Sequence, residues 1–345
     1  MANVLDIRRR IRSVRNTRQI TQAMKMISAA RLRRAQDRAL AARPYAQMLT
    51  NVLKSLVTRT DIYDPETGEV KHPLLARRPE NNILLVVVTA DKGLAGAFNA
   101  NILKAAMRFL ETKPDKNVDI EAIGRKSRDF FRRRFPIHNA ESESRGGRVQ
   151  VAGERVALAQ IDFALANELA KSIVDRYTNE QIDSVYLVYN EFKSVIAQRL
   201  VVDEVLPIAE IGAQDIRQAE ELTEEQREQH ARAAATAGVS PEAPDTSEID
   251  RAAAKFGTQQ VDYIYEQSPD ELFRDLLPRY VAVQIYRALL ESNAAEHAAR
   301  MTAMDSATNN ATDMIDSLTL KMNRARQASI TKEIIEIVSG AAALA

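Results

Sequence analysis

Residues 279–339 read RYVAVQIYRALLESNAAEHAARMTAMDSATNNATDMIDSLTLKMNRARQASITKEIIEIVS, without a single glycine or proline. As one helix this stretch reaches roughly 90 Å at ~1.5 Å per residue, two to three times the width of a small domain. A helix of that length cannot bury itself in its own globule, so it needs a partner helix. The apolar spacing supplies the means. Ala311, Ile315, Leu318, Met322 and Ala325 alternate steps of four and three, as a coiled-coil seam does. Ala294, Ala298, Met301, Met304 and Ala307 continue the stripe upstream less regularly.

The other end of the chain has the same character. The first proline is Pro44 and the first glycine Gly68. Val4, Ile7, Ile11 and Val14 keep the seam spacing, and Ile20, Met24 and Ile27 resume it after a phase slip. The pattern predicts two long terminal helices that pair as an antiparallel coiled coil, with an α/β domain inserted between them. Alanine and methionine on the stripes permit close, adaptable packing but specify register less firmly than a Leu/Ile zipper.

Between the ends, residues 83–90 (ILLVVVTA) form a near-continuous apolar run, as in a strand buried on both faces. Residues 118–123 and 184–189 read as further strands, and 194–202 as a strand returning after a turn at 190–193. Residues 97–111, 125–135 and 155–177 read as helices, which together make a small doubly wound sheet. Residues 214–255 are rich in Ala, Glu, Gln and Arg and contain Pro241 and Pro244. They predict a solvated helix over about 214–235 and then a connector, an exposed insertion. The expected division is 1–60 (coiled-coil helix), 61–212 (α/β base), 213–258 (polar insertion) and 259–345 (coiled-coil helix).

Composition narrows the chemistry. Of 345 residues 28% are charged, yet the net charge is only +1, so the whole chain carries no general attraction for nucleic acid. The absence of cysteine excludes disulfides, a thiol nucleophile and Cys-ligated zinc. The four histidines, His72, His138, His230 and His297, lack metal-ligand spacing. The basic start does not lead into an apolar stretch, so it is no secretory signal, and its pattern runs on past residue 40 as mature helix. No apolar run is long enough to span a bilayer.

Two features invite a functional reading. The segment 89–99 (TADKGLAGAFN) lies at a strand-to-helix turn, where phosphates often bind. It is neither GxGxxG nor GxxxxGK[ST], and a tight turn in which Gly93 and Gly96 allow close packing accounts for it. The first helix is strongly basic. Arg8, Arg9, Arg10, Arg12, Arg15, Arg18, Lys25, Arg31, Arg33, Arg34, Arg38 and Arg43 oppose only Asp6 and Asp37. Nucleic acid, an acidic protein surface and plain solvent would each satisfy that face, and the residues alone leave all three open. No acid–base pair, nucleophile elbow or HExxH motif is present, and nothing requires an enzyme.

The termini carry a resemblance. Residues 11–26 (IRSVRNTRQITQAMKM) closely resemble the N-terminal helix of the gamma subunits of F-type ATP synthases, and 325–343 (ARQASITKEIIEIVSGAAA) resemble the family's C-terminal signature. Residues 292–304, 91–99 and 188–192 are similar to family segments in the expected order. The resemblance implies a rotor shaft inside a ring of alpha and beta subunits, its base engaging epsilon and the c-ring. It implies no catalytic, cofactor or metal site in this chain, no nucleic-acid partner, and membrane contact only through the complex. Absence of the redox cysteine pair of chloroplast relatives favours a peripheral protein at the cytoplasmic face of a bacterial inner membrane. Carried over by position, the expected contacts with the ring are Met24, Arg300, Arg326, Gln327, Thr331 and Glu333.

Overall fold

The computed structural model describes residues 4–57, 72–137, 148–155, 161–243, 247, 251 and 267–344. Two helices dominate it. Helix α1 (Val4–Val57) runs 54 residues through Pro44, and helix α6 (Pro269–Leu344) runs 76 residues through Pro278. At ~1.5 Å per residue they are roughly 80 and 115 Å long. They pack antiparallel along α1, as the breaker-free ends predict: Ile7, Ile11 and Ile315 share one apolar cluster, while Leu49, Leu53 and Leu56 share another with Phe273 and Leu277.

Between them lies a six-stranded sheet in the order β3-β2-β1-β4-β5-β6, formed by β1 (Asn82–Val88), β2 (Asn117–Ile123), β3 (Val149–Arg155), β4 (Ser184–Phe192), β5 (Gln198–Leu206) and β6 (Asp215–Glu221). The first four are parallel, and β5 and β6 return antiparallel. Helices α2 (Phe98–Thr112), α3 (Arg125–Phe131), α4 (Phe163–Thr178) and α5 (Glu224–Ala237) complete the chain. Alternation along β1 explains the layers. Leu84, Val86 and Val88 face α4 and the leucine-rich parts of α1 and α6, while Ile83, Leu85 and Val87 face α2 and Phe131. Both faces are covered, hence the unbroken apolar run.

Several expectations need correction. Arg155 ends a strand, 149–155, that the sequence reading does not anticipate, rather than starting a helix, and α4 begins at Phe163, where Asp162 Oδ1 caps the Leu165 amide at 2.9 Å. Helix α3 stops at Phe131 instead of 135. The segment from 214 does not open as a helix: β6 zips onto β5, and α5 starts only after Thr223. Nor is α5 simply solvated, since His230, Ala233, Ala234 and Ala237 are buried. The residues between 252 and 258 that the insertion was expected to include lie outside the described residues.

Candidate partner-binding surface of the coiled coil

The seam has no phase slip. Starting from Ile7, the α1 positions turned toward α6 are 7, 11, 14, 18, 21, 25, 28, 32 and 35, an uninterrupted alternation of four and three. Ile20 and Ile27, expected in the seam, are 60% and 53% exposed. Polar residues occupy the positions they were thought to fill. Thr21 Oγ1 lies 2.8 Å from Thr308 Oγ1, and Lys25 Nζ donates to Asp305 Oδ1 at 2.8 Å. The Lys25 and Asp305 side chains are only 10% and 9% exposed. A buried pair of this kind fixes which residues face each other, because any slip leaves both charges unpaired.

These contacts set the overhang. Thr21 faces Thr308 and Lys25 faces Asp305, so Val4 comes level with about residue 325. Beyond that level α6 continues alone, and every described side chain from Arg326 to Ser339 is exposed. Ile330, Ile334, Ile337 and Val338 share one face there, 49–71% exposed. An apolar face of this size on a helix without a partner among the described residues marks a surface for another molecule.

The expected contact residues fall into two groups. Arg326, Gln327, Thr331 and Glu333 lie together at the start of the overhang. There Thr331 Oγ1 donates to the Gln327 carbonyl at 3.0 Å, and Ser329 Oγ donates to Glu333 Oε1 at 3.2 Å. Met24 is half-buried beside the polar layer, roughly 30 Å further down at ~1.5 Å per residue, on the flank that carries exposed Ile20 and Ile27. Arg300 is turned inward. Its guanidinium donates to Glu296 Oε1 at 2.7 Å and more weakly, at 3.3–3.4 Å, to the Lys92 and Gly93 carbonyls.

Arg300 thereby ties the shaft to the turn after β1, the position where a doubly wound sheet would take a phosphate. Here side-chain oxygens cap one amide of this turn and two at the start of α3. Asn99 Oδ1 accepts from the Ala90 amide at 2.9 Å, Asp91 Oδ1 from the Arg125 amide at 2.9 Å, and Thr89 Oγ1 from the Ser127 amide at 2.8 Å. A Cβ on Gly124 (φ +93°) would sit 2.1 Å from the Thr89 carbonyl oxygen, so only glycine permits this closure. Gly96 is required by its left-handed backbone (φ +54°), whereas a Cβ on Gly93 would approach the Lys126 side chain only to 4.0 Å; the turn presents the Asp91 carboxylate to the start of the next helix. Beside it His297 is held neutral: burial, then the Arg300 and Arg31 cations, lower its pKa to about 4.

Lower down, a second polar joint links shaft to sheet. Arg287 Nε donates to Glu291 Oε1 at 2.7 Å, and its Nη2 lies 3.8 Å from Glu191 Oε1 on β4. Asp203 of β5 lies near this group, and burial raises its pKa to about 6 against the pull of Arg287. Among the described residues no cluster of His, Asp or Glu is arranged to hold a metal, and no helix is long and apolar enough to cross a membrane.

Sequence reasoning missed the Thr21, Lys25, Asp305 and Thr308 layer because it followed apolar residues. A strict seven-residue count from Ile7 would have placed Thr21 and Lys25 in the seam.

Comparison with known proteins agrees with this architecture. A family described as ATP synthase matches residues 3–344. The ATP synthase gamma chain of Solibacter usitatus is 48% identical over 344 residues, covering 99% of both chains. That of Anaeromyxobacter sp. (strain Fw109-5) is 45% identical over the full length of both. Among solved structures, a chain of the Euglena gracilis mitochondrial ATP synthase (OSCP/F1/c-ring) has the same fold. It gives a TM-score of 0.54 at 17% identity, covering 99% of this chain and 94% of that one. A chain of the Tetrahymena thermophila mitochondrial ATP synthase central stalk/c-ring gives 0.51 at 21%, covering 84% and 99%. The protein described here therefore belongs to the family of bacterial ATP synthase gamma chains.

Proposed function

We infer that this chain is the central rotor shaft of an ATP synthase, itself non-catalytic, coupling ion-driven rotation to conformational change in the catalytic subunits. The observation that carries the reading is the geometry of the rod. Two helices wound on one register supply stiffness, and one of them projects roughly 28 Å beyond the other at ~1.5 Å per residue. A shaft of this kind acts by differential contact: each orientation stabilises one conformation of a surrounding subunit over another, which is all that is needed to shift its nucleotide affinity.

In this reading residues 1–60 and 259–345 form the shaft, 61–212 the base, and 213–258 an arm whose first strand is zipped to the base. The shaft stands within a ring of alpha and beta subunits, and the base meets epsilon and the c-ring. The complex holds the chain at the cytoplasmic face of a bacterial inner membrane. Arg326, Gln327, Thr331 and Glu333 present polar groups to the ring where α6 leaves its partner, and Met24 faces it from the lower flank. Arg300, turned inward, acts on the ring through the Lys92-Gly93 turn it holds. The basic residues of α1 suit acidic, moving loops.

The test is reconstitution with alpha and beta subunits. Gln327→Leu and Thr331→Val are expected to lower coupled ATPase activity while leaving the unfolding midpoint of the chain unchanged, since both side chains are exposed. Normal activity in both variants would remove these residues from the ring contact. Failure of the tagged chain to co-purify with alpha and beta subunits from its native membranes would end the shaft reading itself.

A further inference from the structure

The helix after β6 is more than an appendage. It carries its own stops: Thr223 and Gln226 form a reciprocal capping box, and Gly238 closes the C-terminus in the left-handed conformation (φ +66°). The sequence EEQREQHARAAATA between them is rich in strong helix formers. These local signals set where α5 starts and stops, and at 14 residues it still depends on tertiary packing to stay folded.

The contact it makes is shallow, with small apolar side chains at its centre and a polar edge. Ala234, Ala237 and Val239 pack with Ala29, Leu32, Ala35, Ala298 and Met301. Methyl groups dominate this face, so its burial stabilises docking far less than a leucine face would. At the exposed edge sits Thr236. Lys25 Nζ donates to Thr236 Oγ1 at 3.0 Å as well as to Asp305 Oδ1, and Thr236 Oγ1 lies 3.2 Å from that same carboxylate oxygen. The ammonium thus has two partners, one in the coil and one on the arm. Arg33 of α1 donates in addition to the Gly238 carbonyl just past the end of α5.

We propose that α5 is a removable clamp on the coil: its docking and the closure of the Lys25–Asp305 layer reinforce each other through Thr236, so that lifting α5 loosens the two long helices at that level. The layer gains from such a clamp because its cross-helix partners are polar, with Met301 and Met304 the buried apolar side chains beside them. Thr21 faces Thr308 and Lys25 faces Asp305, and polar pairs stay closed only while their partners stay in place. Coupling of this kind is reciprocal by thermodynamic necessity. Whatever the layer contributes to holding α5, α5 contributes equally to holding the layer. The inference concerns the chain alone and stands apart from the identity of its partners.

Hydrogen exchange on the full-length chain tests both directions. Thr236→Val keeps the shape of the side chain and removes its oxygen. Exchange is expected to rise about tenfold across 224–237 and by a smaller, measurable factor at 21–28 and 301–308, with 49–56 unchanged. Asp305→Asn, which keeps the volume and removes the charge, is expected to raise exchange across 224–237 although it lies on another element. If Asp305→Asn perturbs the coil as a whole, Ala234→Glu provides the converse arm by prising α5 off with a buried charge. It should then accelerate exchange at 21–28 and 301–308. A rise confined to the element mutated, in Thr236→Val and in either second variant, would overturn the proposal, as would unchanged exchange of α5 in Thr236→Val.

Discussion

Two levels of the coil follow one seven-residue rhythm with opposite chemistry. Near the base, Leu49, Leu53 and Leu56 of α1 sit among Phe273, Leu277, Val281 and Leu289 of α6, the leucines at 0–7% exposure. Higher up, the equivalent positions are Thr21 and Lys25 against Thr308 and Asp305. The base is held by area removed from water, which is strong and indifferent to small displacements. The upper layer is held by pairing, which contributes little net energy and tolerates no displacement. Burial at the base makes the rod durable, and pairing partway up makes its register unique.

That contrast can be broken most sharply at Asp305. Asp305→Leu alone leaves the Lys25 ammonium buried without its carboxylate and is expected to cost about 3–5 kcal/mol in denaturant unfolding. The double variant Lys25→Met/Asp305→Leu should recover most or all of that loss, because two apolar side chains replace the pair. Equal losses in single and double variants would show that the pair itself stabilises the coil. At the base, Leu53→Ala is expected to cost about 3 kcal/mol through lost burial and a residual cavity, with no partner substitution able to rescue it.

Acid should separate shaft joints in opposite senses, by smaller amounts. The pKa of His297 falls from 6.5 to about 4 on folding, so the native state binds fewer protons, and its contribution is lost as pH drops through that window. The pKa of Asp203 rises from 3.8 to about 6, so the joint around it gains stability as pH falls from about 6 toward 3.8. His297→Gln should therefore make the chain less sensitive to acid between pH 6.5 and 4, and Asp203→Asn more sensitive. Unfolding midpoints measured across pH 4–7 would show both slopes, and identical profiles for the two variants would contradict the assignment.

The sequence announced the architecture wherever one rule governed. Absence of breakers marked the two long helices, and the doubly buried run at 83–90 marked the central strand. It was opaque where tertiary partners overrode local signals. Strand β3 is short, ends in Gly-Glu-Arg and takes its place only because β2 offers an edge. Strand β6, DIRQAEE, has the composition of a helix and is extended because β5 pairs with it. Lys25 read as one more surface cation until Asp305, 280 positions away, explained it. Arg300 was legible as important from its resemblance, but its inward direction depends on the Lys92-Gly93 turn, which no local pattern places there.

The unequal lengths of the two helices give the molecule a stepped profile. Through the paired section a surrounding collar would grip something about 20 Å across, whereas past residue 325 it would meet a single helix of about 10–12 Å. Drag at a surface opposes turning in proportion to its distance from the axis. Equal friction on the slender journal therefore resists spin with about half the moment it would exert on the thick section, and torque delivered to the wide part loses little at the narrow end.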